Sequence, residues 1–87
     1  MDRLSQLYYS QGRYAPCVAL CQRIVERDPC REDAHRRLMR CYSRQGQLHL
    51  ALRQYRICME ALRAELGVDP AAETTALYEQ IRRRESV

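Results

Sequence analysis

An all-α fold of stacked helical hairpins is what this sequence predicts, and three observations carry the prediction. The chain repeats itself at an offset of 34 residues: Tyr8 recurs as Tyr42 and Gln11-Gly12 as Gln45-Gly46, while Tyr14, Cys17, Cys21 and Ile24 map onto Leu48, Ala51, Tyr55 and Cys58. Within each unit the apolar residues fall three or four apart, so that they line one face of a 3.6-residue helix. Helix-ending signals, Gly12, Asp28-Pro29, Gly46 and Gly67, stand at the close of four successive stretches.

Taken in order, the first helix is expected over residues 2–11, with Leu4, Leu7 and Tyr8 on one face and Gly12 as the residue that turns the chain. The second spans residues 15–27, where Pro16 is tolerated because it falls in the first turn. Its apolar stripe is Cys17, Leu20, Cys21 and Ile24, and Pro29 pushes Asp28 out of the helical region. The third spans residues 31–45, buries Leu38, Met39, Cys41 and Tyr42, and stops at Gly46. The fourth, residues 48–66, turns Leu48, Ala51, Leu52, Tyr55, Cys58, Met59 and Leu62 inward. It outruns the second because Arg63 stands where Pro29 would recur. The fifth, residues 72–84, offers Leu77, Tyr78 and Ile81 as a capping face. Small Cys17 and Ala51 mark the closest approach of the paired helices, where bulk would clash.

A 34-residue period is that of the tetratricopeptide repeat, a helix–turn–helix unit whose stacking makes a short right-handed solenoid. On this reading the 87 residues form a single domain: repeat 1 over about 1–31, repeat 2 over about 32–66, and a capping helix over about 70–85. The first repeat lacks its opening residues, so the chain is expected to be a piece of a larger regulator. No apolar run approaches the ~18 residues of a membrane span, and no signal-peptide pattern is seen. A cytoplasmic location and no membrane partner are expected. Five cysteines, an odd number without a CxxC pair, argue against a disulfide framework. All fifteen basic residues are arginine, as a GC-rich genome alone would produce, and the net charge of +4 suits an acidic partner or nucleic acid.

The first helix of each pair lines the concave groove in such stacks. Arg36, Arg40 and Arg44 lie four apart on the third helix, with Arg37 beside them. Gln6, Tyr9 and Ser10 from the first helix and Thr75, Glu79 and Arg82 from the fifth are expected to flank that stripe. A groove of this kind suits an acidic peptide or a carboxylate terminus. The plainer reading is a solvated helix face partly neutralised by Glu32 and Asp33, and both stay open at this point. Direct contact with nucleic-acid phosphates through these arginines and Arg82-Arg83-Arg84 is the alternative function, although no recognition helix or basic arm accompanies them.

Cys17, Cys21 and Cys58 occupy core positions of the repeat, so packing is expected rather than a metal or redox site; Cys30 is the candidate exposed thiol. His35 takes the place usually held by tryptophan in the repeat and is read as packing or capping, while His49 is expected to be exposed. With no nucleophile elbow, phosphate loop or convergent carboxylates, no catalytic residue, cofactor, metal or small-molecule substrate is expected.

The stretch from Asp28 to Met39 (Asp-Pro-Cys-Arg-Glu-Asp-Ala-His-Arg-Arg-Leu-Met), then Gly46-Gln47 and Ala51-Leu52-Arg53-Gln54-Tyr55, resembles the bacterial transcriptional activator domain. Glu65-Leu66-Gly67-Val68-Asp69-Pro70, Glu73-Thr74, Leu77-Tyr78 and Ile81 extend the resemblance in the same order. It is strongest over residues 28–82. This tetratricopeptide-like domain occurs in regulators that switch on antibiotic biosynthesis in filamentous bacteria. The resemblance implies a parent that binds DNA through a winged helix–turn–helix domain preceding this one, which these residues do not encode. The expected role is therefore a non-catalytic protein–protein interaction or oligomerisation module. Its partners would be other domains of the parent, a second copy or the transcription machinery, with DNA reached only through the separate domain.

Overall fold

The computed structural model describes residues 3–85 and 87. Five helices follow one another: α1 (Arg3–Ser10), α2 (Tyr14–Arg27), α3 (Glu32–Arg44), α4 (Leu48–Leu66) and α5 (Ala72–Arg82), with no strand among the described residues. Each packs on the next, and α3 also meets α5. The expected boundaries hold to within a residue or so, except at α5, which ends two residues early; the expected start of α1 at Asp2 lies outside the described residues.

The hairpin turns repeat atom for atom. At the first, Gly12 N–H donates to Tyr9 O at 3.1 Å and Arg13 N–H to Tyr8 O at 2.9 Å. At the second, Gly46 N–H donates to Ser43 O at 3.1 Å and Gln47 N–H to Tyr42 O at 2.8 Å. Both glycines carry the left-handed φ, 73° and 74°, that these bonds demand and that a side chain disfavours. The same pair of bonds closes α5, from Arg84 N–H to Ile81 O and from Glu85 N–H to Gln80 O, each 2.9 Å. Here the left-handed residue is Arg84, φ 62°. That conformation stops α5 short of residue 84.

The buried core draws on α2, α3, α4 and α5, with Tyr8 and Tyr9 of α1 packed against it, and centres on α3, which buries Ala34, His35, Leu38, Met39, Cys41 and Tyr42. Cys17 and Ala51 are fully buried, as their small size predicts, and Cys17 Sγ lies 3.3 Å from Ser5 O where α1 and α2 draw close. The apolar face of α1 is thinly covered. Its buried residue is Ser5, whereas Leu4 and Leu7 are 45% and 50% exposed. Leu20 and Ile24 in α2 and Leu48, Leu52, Tyr55 and Met59 in α4 are only half-buried. Tyr55 stacks on Tyr78 with ring centroids 4.2 Å apart, fixing α5 on α4.

Polar contacts set the remaining geometry. His35 Nε2–H donates to Pro29 O at 2.7 Å, and its Nδ1 accepts from Gln54 Nε2 at 2.8 Å, so the ring ties the α2–α3 loop to α4. Gln22 donates to Tyr42 Oη at 2.9 Å. Glu32 Oε1 accepts from the Ala71 N–H at 2.9 Å and from Thr74 Oγ1 at 2.7 Å. It thereby supplies, from α3, a capping acceptor that α5 lacks in its own sequence.

Candidate functional site

The arginines of α3 share a helix face in the sequence but have four different environments in the structure. Arg36 is held inward: its Nη1 donates to Thr74 Oγ1 at 2.8 Å and Nη2 lies 3.7 Å from Glu73, leaving the side chain 16% exposed. It belongs to the α3–α5 joint, and the expectation that it lines an open stripe is corrected. Arg37 lays its guanidinium over the Tyr9 ring, 4.6 Å from the centroid, and its Nε is buried with no hydrogen-bond partner among the described residues. A cation over an aromatic face gains ~0.5–1 kcal/mol. Tyr9 in turn meets Tyr14 edge to face at 5.7 Å, so the pair fixes Arg37 against α1 and α2.

Arg40, half-buried, has no hydrogen bond or ion pair among the described residues. Arg44 is exposed, and its Nε donates to the Val87 carbonyl at 2.9 Å. Tyr9 Oη approaches the same oxygen at 3.5 Å. An open cavity of about 630 Å³ lies alongside, between Arg44, Gly46 and Leu48 on one side and Ile81 and Arg84 on the other.

The flanking residues divide. Tyr9 lies under the Arg37 guanidinium. Arg82 Nη2 and Glu79 pair with each other at 2.8 Å. Thr75 is turned toward α4, 3.1 Å from Tyr55 Oη. Ser10 Oγ bonds back to the Gln6 and Leu7 carbonyls of its own helix. What brings residues together here is therefore Tyr9, Arg37, Arg40 and Arg44, with Val87 seated on the last. The sequence reading missed Thr74, Glu32 and Val87. They meet partners in α1, α3 and α5 across separations of 38 to 78 residues, which no helical period encodes.

The five thiols are free. Burial pushes Cys21 and Cys58 up to about 12 and Cys41 higher still. Cys30 is half-buried, its Sγ 3.3 Å from Glu65 Oε2, and partial burial followed by that carboxylate raises it too. Such thiols are poor nucleophiles and poor metal ligands. Among the described residues no group of three or more His, Cys, Asp or Glu side chains is placed to hold a metal ion, and no helix is long and apolar enough to cross a membrane.

Five sequentially packed helices, with hairpins in tetratricopeptide-like register, define an all-α helical-repeat domain. Residues 1–82 match the bacterial transcriptional activator domain, and the chain belongs to that family, which is not known to be catalytic. No curated protein and no solved structure matches the chain significantly.

Proposed function

We propose that this domain is a non-catalytic protein-interaction module of a bacterial transcriptional regulator, with DNA read by a separate domain of the parent. Tyr9, Arg37, Arg40 and Arg44 would form the partner-binding face and take an acidic peptide. The observation that carries this reading is the fixed presentation of arginine: Arg37 is locked on Tyr9, and Arg44 already binds a main-chain oxygen. A guanidinium held in place loses less conformational entropy on binding than a free one.

The charge pattern favours protein over phosphate. Arg36, Arg82 and Arg83 are each paired with a carboxylate, Glu73, Glu79 and Glu85 respectively, which weakens the basic patches that a nucleic-acid interface would need.

Fluorescence anisotropy with a fluorescein-labelled Glu/Asp-rich decapeptide tests the reading, with random duplex DNA as the parallel probe. The peptide is expected to bind, and Arg40→Glu and Arg44→Glu to weaken it by about tenfold each, the loss of one charge-assisted contact. Arg36 is left intact because it holds α5 in place. DNA binding with a steep salt slope and no peptide binding would overturn the proposal.

A further inference from the structure

Two features at the end of the described chain belong together. Arg84 takes a left-handed conformation, φ 62°, that its two counterparts in the fold assign to glycine. Beyond it, the Val87 carbonyl lies 2.9 Å from Arg44 Nε and 3.5 Å from Tyr9 Oη. The Val87 side chain packs, half-buried, against the core cluster. An unfavourable backbone conformation at a bulky residue persists where contacts beyond it are worth more than the strain. Those contacts are a carbonyl on an arginine and an apolar side chain beside a cavity of about 630 Å³.

They are also what an extended peptide would need. The oxygen seat selects a main-chain carbonyl or a carboxylate, the Val87 position selects a β-branched apolar anchor, and Arg37 and Arg40 lie on the same helix face for acidic neighbours. We propose that Val87 occupies in cis the seat that an acidic partner peptide with an apolar anchor takes in trans, so that a partner binds by displacing it. This rests on the interaction reading above and adds to it a competitor built into the chain. A seat filled about 90% of the time lowers the partner's apparent affinity about tenfold.

The backbone conformation of Arg84 offers the control. Arg84→Gly favours the left-handed turn and keeps the seat filled; Arg84→Pro fixes φ near −65° and forbids it. Both remove the same charge; the proline also removes the Arg84 N–H bond to Ile81 O, which is one of the two bonds that close the same turn. Two readouts are made on the full chain: the Arg44 Nε–H resonance in ¹⁵N-edited NMR, and anisotropy of a fluorescein-labelled Glu/Asp-rich decapeptide ending in valine. Circular dichroism checks that helical content is unchanged. The expected result is that Arg84→Pro moves the Arg44 resonance and loses its exchange protection, while Arg84→Gly does not. The proline variant should also bind the peptide about tenfold more tightly than the glycine variant. A free peptide of residues 83–87 should compete with the probe and return the Arg44 resonance toward its original position.

An Arg44 resonance that is the same in both variants overturns the inference, whatever the peptide does. A resonance that moves while both variants bind the peptide equally overturns the competition and leaves the interaction reading standing. Failure of the peptide to bind either variant overturns both.

Discussion

Buried to 1% exposure, His35 has both ring nitrogens engaged, Nε2–H on Pro29 O and Nδ1 on Gln54. Burial disfavours the imidazolium and lowers its pKa below the ordinary 6.5. The unfolded chain therefore takes up a proton at a pH where the folded one does not. The sign follows: this contribution is complete above about pH 6.5 and shrinks as pH falls below it. Urea midpoints are expected to drop between pH 7.5 and 5.5, and His35→Gln should flatten that slope; an unchanged slope would refute the assignment. Asp33 acts in a separate, lower window. Its hydrogen-bonded pair with Arg31, 2.9 Å, holds it well below the usual 3.8, so its stabilisation is lost only as pH falls past that value. Cysteine chemistry is graded at the same scale. Cys17, Cys21, Cys41 and Cys58 are fully buried, and Cys30 alone is not. Iodoacetamide on the native protein should add one label, at Cys30, and slowly because its thiolate is disfavoured; urea should expose all five. More than one rapid label on native protein would contradict this. The sequence reading placed Cys17, Cys21 and Cys58 in the core because the repeat offset assigns them register positions, and Cys30 outside it because it follows Pro29. It placed His35 as packing or capping, but Gln54 was missed, since a polar residue on a helix carries no sign that a buried ring will need it.

Among the elements, α5 depends most on its neighbours. Its N-terminus has no side-chain cap of its own. Glu32 reaches across from α3 to accept the Ala71 N–H and the Thr74 hydroxyl, and Arg36 donates to that same hydroxyl. Thr74 is fully buried, so removing its hydroxyl strands a carboxylate and a guanidinium that lose a shared partner. Thr74→Val is expected to destabilise the fold by about 2 kcal/mol, in the range for hydrogen bonds to charged groups. A double-mutant cycle with Glu32→Gln should show coupling, because the two side chains act on one atom network. Additive effects would mean that the joint is not a unit. Helix number and most boundaries were legible because glycine and Asp-Pro signals are local, and so was the inward face of α3. The joint was not legible. Arg36 reads from spacing as one of a stripe with Arg40 and Arg44, and only the docking of α5 decides that it turns inward. The end of α5 was misplaced for a related reason: Arg84 carries no sequence signal for the left-handed conformation that Gly12 and Gly46 announce by their identity.

For the whole molecule, coverage of the stack is uneven along its length. α3 is packed by helices on both sides, while α1 buries Ser5 and turns Leu4 and Leu7, 45% and 50% exposed, toward solvent. Single exposed leucines are ordinary on protein surfaces. Two of them at i and i+3 on one helix make a continuous apolar strip, and hairpins in a solenoid bury such strips by stacking on a neighbour. Leu7 also borders a small cavity shared with Arg3, Gln6 and Ser10. A second copy meeting α1 through this strip would extend the stack in the way that the hairpins already extend one another. Sedimentation equilibrium over a concentration series is expected to show reversible self-association of the chain, which the double substitution Leu4→Gln, Leu7→Gln should weaken. Because both side chains are already half in water, the same variant should change folding stability by no more than about 0.5 kcal/mol per site. That separation of association from stability is the diagnostic. A chain that stays monomeric at high concentration, or a variant that associates as before, would show that α1 does not join copies, and the arginine face would then be the next contact surface to map.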